Sequence, residues 1–332
     1  MADAEPSSKP AEKEQKPPEG LSQFIGKVLD QLSLSAWMPA AMLVGCGAVL
    51  LQLRSQGNFD LGAAVVGLTA KPLGILVVLL FALVLAALVS QAFSFSAIRF
   101  FEGYWKGPLV WLGIYRLLVR RKRKKWAKVT EKLKRQTNLA FETARKEMLD
   151  TEAYDLAFVR LVENAFRMED PPDTPEQRAA ESFEWRRVLP PDVVSRESRL
   201  AQAQADFPEP HRILPTRLGN ILRATEDRIN RGQDDTQDLV LRRGDDIPAR
   251  LRTHHDQFRT RLDMYCTLIF VHLGLAGLTL ALLVPARNSL LGTAVTTAVF
   301  LALAAASYSA AVASARGYCT TLKVIFSAPA SR

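Results

Sequence analysis

The sequence predicts an all-α polytopic membrane protein, with four transmembrane helices in two hairpins and a helical cytoplasmic insert between them. Three observations predict it. First, residues 37–53, 73–98, 264–286 and 288–315 contain no Asp, Glu, Lys or Arg. A spanning helix needs roughly 20 mostly apolar residues, within a range of about 17–25. Second, residues 99–263 hold 33 Lys and Arg, whereas the links 54–72 and 285–290 hold two and one. Cytoplasmic segments carry the basic excess, so both termini and the insert are expected inside a bacterial inner (plasma) membrane. Third, the insert repeats its apolar residues every three to four positions and shows no strand-like alternation. The mean hydropathy of +0.02 therefore averages uncharged spans against a charged insert. Three cysteines in 332 residues exclude a disulfide scaffold.

Residues 1–31 open acidic and Pro-rich, a composition expected to form a disordered tail. They lack the short basic start of a cleavable signal. Ala2 and the ending SAPASR carry no lipidation signal. The first hairpin, 32–98, is expected to hold spans at about 33–53 and 73–98. Ser90, Gln91, Ser94 and Ser96 sit near its inner end as helix contacts or interfacial groups.

The insert, 99–263, begins with an apolar, aromatic stretch at 107–119, where Pro108 is suited to start a helix. Trp105, Trp111, Tyr115 and Trp126 are the amphipathic rings expected at headgroup depth. Between Arg116 and Arg135 eleven Lys and Arg face only Glu131, a net +10 in a chain whose total is +9. Arg120, Arg121, Lys122, Arg123, Lys124 and Lys125 are thus placed to contact anionic lipid headgroups, at about 1 kcal/mol per charge near the surface. A pure topology signal explains the same cluster. No nucleic-acid-binding signature accompanies it, so nucleic acid is not an expected partner.

From Trp126 to Met168 the spacing predicts helix, with Val129, Leu133, Leu139 or Ala140, Ala144 and Leu149 on one face, then Ala153, Leu156, Val159 and Val162. Pro171, Pro172 and Pro175 predict one loop and Pro190–Pro191 another. Residues 192–206 read as a polar helix. In 214–230 Thr216 is a plausible N-cap, and Leu218, Ile221, Leu222 and Ile229 share a face. Residues 231–246 are a polar loop, and a last helix from Pro248 runs into the third span.

The second hairpin, 264–315, is expected to hold spans at about 264–285 and 289–314, followed by a cytoplasmic segment at 316–332. Small residues recur every four positions in the fourth span, at Ala302, Ala306, Ala310 and Ser314, with Gly274 and Gly277 as a facing surface. Such residues let helices approach closely in lipid, within one chain or in a homo-oligomer. His272 lies near the middle of the third span, where ionisable groups usually face protein or water. It is expected to bond Ser307 or Tyr308, or to join Thr279 with them on an ion or proton path.

Three stretches carry a resemblance. FEGYWKGPLVWLGIYRLLVRRKRKKW (101–126), LPTRLGNILRATEDRI (214–229) and AASYSAAVASARGYCTTLKVIF (305–326) resemble, in this order, a group of uncharacterised multi-spanning membrane proteins typical of actinobacteria. That resemblance implies architecture and no activity. The chain departs from the group after Asn230, where RGQDDTQDLVLRRGDDIP replaces an aromatic-rich stretch with Trp-Pro.

No phosphate-binding, nucleophile-elbow, zinc-protease or dinucleotide motif is present. Cys46, Cys266 and Cys319 have no ligand spacing. His254, His255, Asp256 and Asp263 lack a recognisable catalytic arrangement, and adjacent histidines on a helix point about 100° apart. No cofactor or metal is expected. The sequence favours a non-enzymatic membrane protein whose insert binds an unidentified cytoplasmic protein partner or senses a signal. The rival is an oligomeric channel or pore-forming effector gated by the insert.

Overall fold

The computed structural model describes residues 34–105, 109–151, 154–167, 174–230, 247–286 and 289–327. The expected tail at 1–31, the helix start at Pro108, the loop at 231–246, Ala153, Met168, Pro171 and Pro172 lie outside them. Among the described residues there are ten α-helices and no strand. In order these are α1 Leu34–Gln56, α2 Leu61–Thr69, α3 Leu73–Glu102, α4 Leu109–Asp150 and α5 Leu156–Arg167. There follow α6 Pro175–Ser182, α7 Pro191–Ala205, α8 Arg217–Asn230, α9 Ala249–Leu283 and α10 Leu290–Ser327. Four of them, α1, α3, α9 and α10, are long and apolar enough to cross a membrane. The protein is an all-helical, multi-span membrane protein.

Two compact units divide the chain. One comprises the chain up to Ser94 with Phe270–Ala302; the other comprises Phe95–Ile269 with the chain from Leu303 onward.

In the first unit, Leu50 and Leu53 of α1 pack with Ala64 of α2 and with Val271, Leu275, Ala276, Leu282 and Leu283 of α9. Phe300 of α10 closes this cluster. Helix α2 lies in the link 54–72. Asp60 caps it, its carboxylate accepting from the Ala63 N–H at 2.9 Å. Gly292 lies so close to the Phe59 ring that a Cβ there would sit 2.5 Å from a ring carbon.

In the second unit, the core is built on the later turns of α4. Ala140, Phe141, Ala144 and Met148 are buried with Val159 and Val162 of α5, Ala180 of α6, Trp185 and Leu189. The Phe141 ring stacks on Phe166 at 4.0 Å and meets Trp185 edge-on at 5.3 Å. Beneath them the buried Glu197 accepts from Arg186 at 2.9 Å and from Thr137 at 3.1 Å.

Three expectations need correction. On α4 Ala140 is the buried one of the two alternatives, with Leu139 64% exposed, and Leu149, expected on the same face, is 38% exposed. The alanines at 140 and 144 admit α5 and the Trp185 turn closely, and Phe141 and Met148 fill the space between them. Pro175 opens helix α6 instead of extending a loop, because Thr174 and Gln177 form a reciprocal capping box around it. Pro191 likewise begins α7, its missing N–H costing nothing at that position.

Within this unit α10 shows a seam of another register. Ala304, Ser307, Ala311, Ser314, Tyr318, Thr321 and Ile325 are all buried, alternating three and four residues apart. The four-residue stripe from Ala302 to Ser314 does not stay buried: Ala302 and Ala306 are exposed and Ala310 half-buried. A period of four advances about 40° per step on a 3.6-residue helix and drifts off any one face, whereas alternating three and four tracks it. Gly274 and Gly277 on α9 are exposed, and an added Cβ at either meets nothing within 4 Å.

Candidate functional site

The three stretches at 101–126, 214–229 and 305–326 meet in the second unit, and the meeting place begins at the end of α3. Gly103 adopts φ +92°, a conformation that only glycine takes readily. It reverses the chain so that the Tyr104 N–H reaches the Arg99 carbonyl and the Gly103 N–H reaches Phe100, at 3.2 and 3.1 Å. This is the paired bonding that satisfies open carbonyls at a helix end. Trp105 adds a bond from Nε1 to the Phe100 carbonyl at 2.7 Å and stacks on the Phe100 ring.

The segment LPTRLGN supplies the rest. Thr216 accepts from the Gly219 N–H at 3.0 Å, as the N-cap the sequence proposed, and its hydroxyl donates to the Phe101 carbonyl. One side chain thus starts α8 and finishes α3. Pro215 packs against Gly103, and Gly219 meets the last carbonyl of α3 so closely that a Cβ would lie 1.9 Å from the Glu102 oxygen. Asn220, 1% exposed, accepts from the Leu214 N–H at 2.8 Å and donates to the Leu214 and Thr216 carbonyls. Leu218, Ile221 and Leu222 are buried, the face expected of them, with Ile229 half-buried at its end.

Helix α10 joins the same place. Buried Asp206, at the end of α7, holds Arg316 of α10 at 2.6 Å and Arg217 of α8 at 3.5 Å. The Arg217 N–H donates to the Tyr308 hydroxyl at 3.3 Å, and the Cys319 thiol to the Ile221 carbonyl at 3.7 Å. Gly317 faces the Phe258 ring of α9, 2.3 Å from where its Cβ would stand. Arg212 pairs with Asp227, whose carboxyl burial nevertheless pushes up from the usual range.

These contacts surround a cavity of about 380 Å³. Its wall takes one face of each of four helices: Phe95, Ile98, Arg99 and Glu102 from α3; Leu222, Arg223 and Glu226 from α8. Helix α9 contributes Arg259, Leu262 and Asp263, and α10 contributes Tyr318, Cys319 and Leu322, with Tyr104 at the rim. The Arg223 guanidinium donates to the Tyr104 hydroxyl at 3.1 Å. Burial, with Glu226 nearby, holds the Tyr104 phenol above its ordinary range. Arg223 Nε and Asp263 Oδ1 are buried and make no hydrogen bond.

The residues singled out from the sequence are divided between the two units. His272 and Thr279 are buried in the first unit, and the Thr279 hydroxyl donates to the Leu275 carbonyl at 2.7 Å. Ser307 and Tyr308 belong to the second unit, where Tyr308 receives the Arg217 N–H. Arg120, Arg121, Arg123, Lys124 and Lys125 are exposed on α4, and six consecutive residues about 100° apart point around the whole helix. A flat surface meets only part of such a run. Lys122 is half-buried in a crevice with Asp206 and Arg217, and burial together with Lys125 and Arg217 lowers its pKa. His255 is buried against the Tyr318 ring at 4.9 Å, with Nδ1 3.0 Å from Asp256. Among the described residues no group of three or more His, Cys, Asp or Glu is placed to hold a metal.

No family model, curated protein or solved structure matches this chain. The junction is not legible along the chain because its contacts join distant segments, 115 positions apart for Thr216 and Phe101 and 91 for Arg217 and Tyr308. The signal available was a Gly just beyond two span ends, in E-G-Y-W and A-R-G-Y-C, and the Pro, Thr, Gly and Asn of L-P-T-R-L-G-N within the insert.

Proposed function

We propose that this is a non-enzymatic membrane protein whose insert binds a cytoplasmic protein partner or senses a signal and passes the change to its spans. One observation carries the reading. The insert and the ends of three span helices, α3 from Phe95, α9 up to Ile269 and α10 from Leu303, belong to a single compact unit. Thr216, Asp206 and Arg217 bond the insert directly to α3 and α10. A ligand or partner that shifts α8 therefore shifts the ends of α3 and α10 with it, because packed elements move as bodies and do not deform continuously. Both termini and the insert are cytoplasmic on this reading, as the basic excess implies, and the exposed part of the basic run rests against anionic headgroups.

Cross-linking in intact membranes, followed by mass spectrometry of the full-length protein, tests the partner. The expected result is a reproducible cytoplasmic protein linked through exposed lysines of the insert. Links to lipid-embedded neighbours alone count against it. Reporter fusions at residue 332 and in the 285–290 turn test the orientation, with cytoplasmic signal from the first only.

A further inference from the structure

We infer that the cavity bounded by α3, α8, α9 and α10 binds a zwitterionic phosphoester bearing a primary ammonium, the chemistry of a phosphatidylethanolamine headgroup. The wall carries three arginines, Arg99, Arg223 and Arg259, and three carboxylates, Glu102, Glu226 and Asp263. A simple anion meets as many like charges as opposite ones there. A zwitterion with phosphate and ammonium a few bonds apart meets both kinds at once. Arg223 already bonds Glu226 and Tyr104 through Nη1, and Asp263 leaves Oδ1 without a hydrogen bond within the chain. A phosphate can meet the wall guanidiniums and a primary ammonium the wall carboxylates, whereas a trimethylammonium has no N–H to give.

Placement and size agree. The charge-free stretch of α3 ends at Arg99 and that of α9 begins after Asp263, so the cavity lies where the spans leave the apolar layer. Phe95, 58% exposed, and Arg99 form an open edge on α3, while Leu222, Leu262 and Leu322 supply apolar wall for the glycerol end. About 380 Å³ lies within the range of roughly 300–1,000 Å³ for small-ligand sites. Binding here neither needs nor supplies the protein partner proposed above.

The test uses the full-length protein in detergent, with bound lipid counted by native mass spectrometry. Phosphatidylethanolamine, phosphatidylcholine and phosphatidylglycerol with identical acyl chains are compared, and soluble phosphoethanolamine is the competitor. The ethanolamine lipid is expected to bind at least tenfold tighter than the others, and Arg259→Gln or Asp263→Asn to remove that preference. Arg99→Gln, at an exposed position that leaves the fold intact, is expected to weaken it severalfold. Displacement by phosphoethanolamine at equal concentration assigns the site to a soluble zwitterion of the same chemistry. Equal binding of the three lipids, or a preference that survives all three substitutions, overturns the inference.

Discussion

Replacing Gly219 with alanine tests the junction at its tightest point. In an ordinary helix this change is favourable by up to about 1 kcal/mol. Here the new methyl would stand 1.9 Å from the Glu102 carbonyl oxygen, a backbone atom that cannot rotate away. Restoring an ordinary contact near 3.2 Å moves α8 off α3 by roughly 1.3 Å. That displacement breaks the Thr216 bond to Phe101 and strains the Arg223 bond to Tyr104. Each is worth about 1 kcal/mol, and overpacking of this kind costs about 1–3 kcal/mol. After the propensity gain, the net loss is about 2–4 kcal/mol. For a unit of this size that lowers the melting temperature by about 6–12 °C. The assay is thermal unfolding of the purified protein in detergent, followed by tryptophan fluorescence, since Trp105 stacks on Phe100 beside the contact. Gly113→Ala on α4, where an added Cβ meets nothing within 4 Å, is the control and is expected to melt at or above the wild type. A Gly219→Ala protein as stable as that control refutes the close approach of α8 to α3.

Asn220→Ala leaves the Leu214 N–H and C=O without their partner and is expected to cost about 2–4 kcal/mol, read as a lower melting temperature. Gly317→Ala is expected to be milder than Gly219→Ala, since its Cβ meets the Phe258 ring and a ring can tilt. Phe258→Leu in the same chain is expected to recover most of that loss, and simple additivity in the double mutant argues against the contact. Glu197 is held below the usual carboxylate range by its hydrogen bond from Arg186. A depressed folded pKa gives stability present above the unfolded value, about 4.3, and lost as pH falls through the folded one. The melting temperature is therefore expected to fall in acid, and Glu197→Gln to flatten part of that fall.

Particular residues mark how far the sequence reaches. The four spans were legible because exclusion of charge over some twenty residues is a local, one-dimensional property fixed by the bilayer. The N-cap Thr216 and the buried face of Leu218, Ile221 and Leu222 were legible for the same kind of reason, since neighbours within one helix turn decide them. The α10 seam was not: small residues every four positions suggested one face, and the buried residues follow a three-and-four alternation instead. Which face is buried depends on what packs against it, and that partner lies elsewhere in the chain.

The sequence by itself determined that this chain is helical and multi-spanning, because hydropathy and periodicity act locally along the chain. Tertiary structure alone decided that Gly103, Thr216, Gly219, Asn220 and Arg316 form one junction around one cavity. Close backbone approach and a shared hydroxyl are relations between residues more than a hundred positions apart, and the pattern around either partner does not name the other.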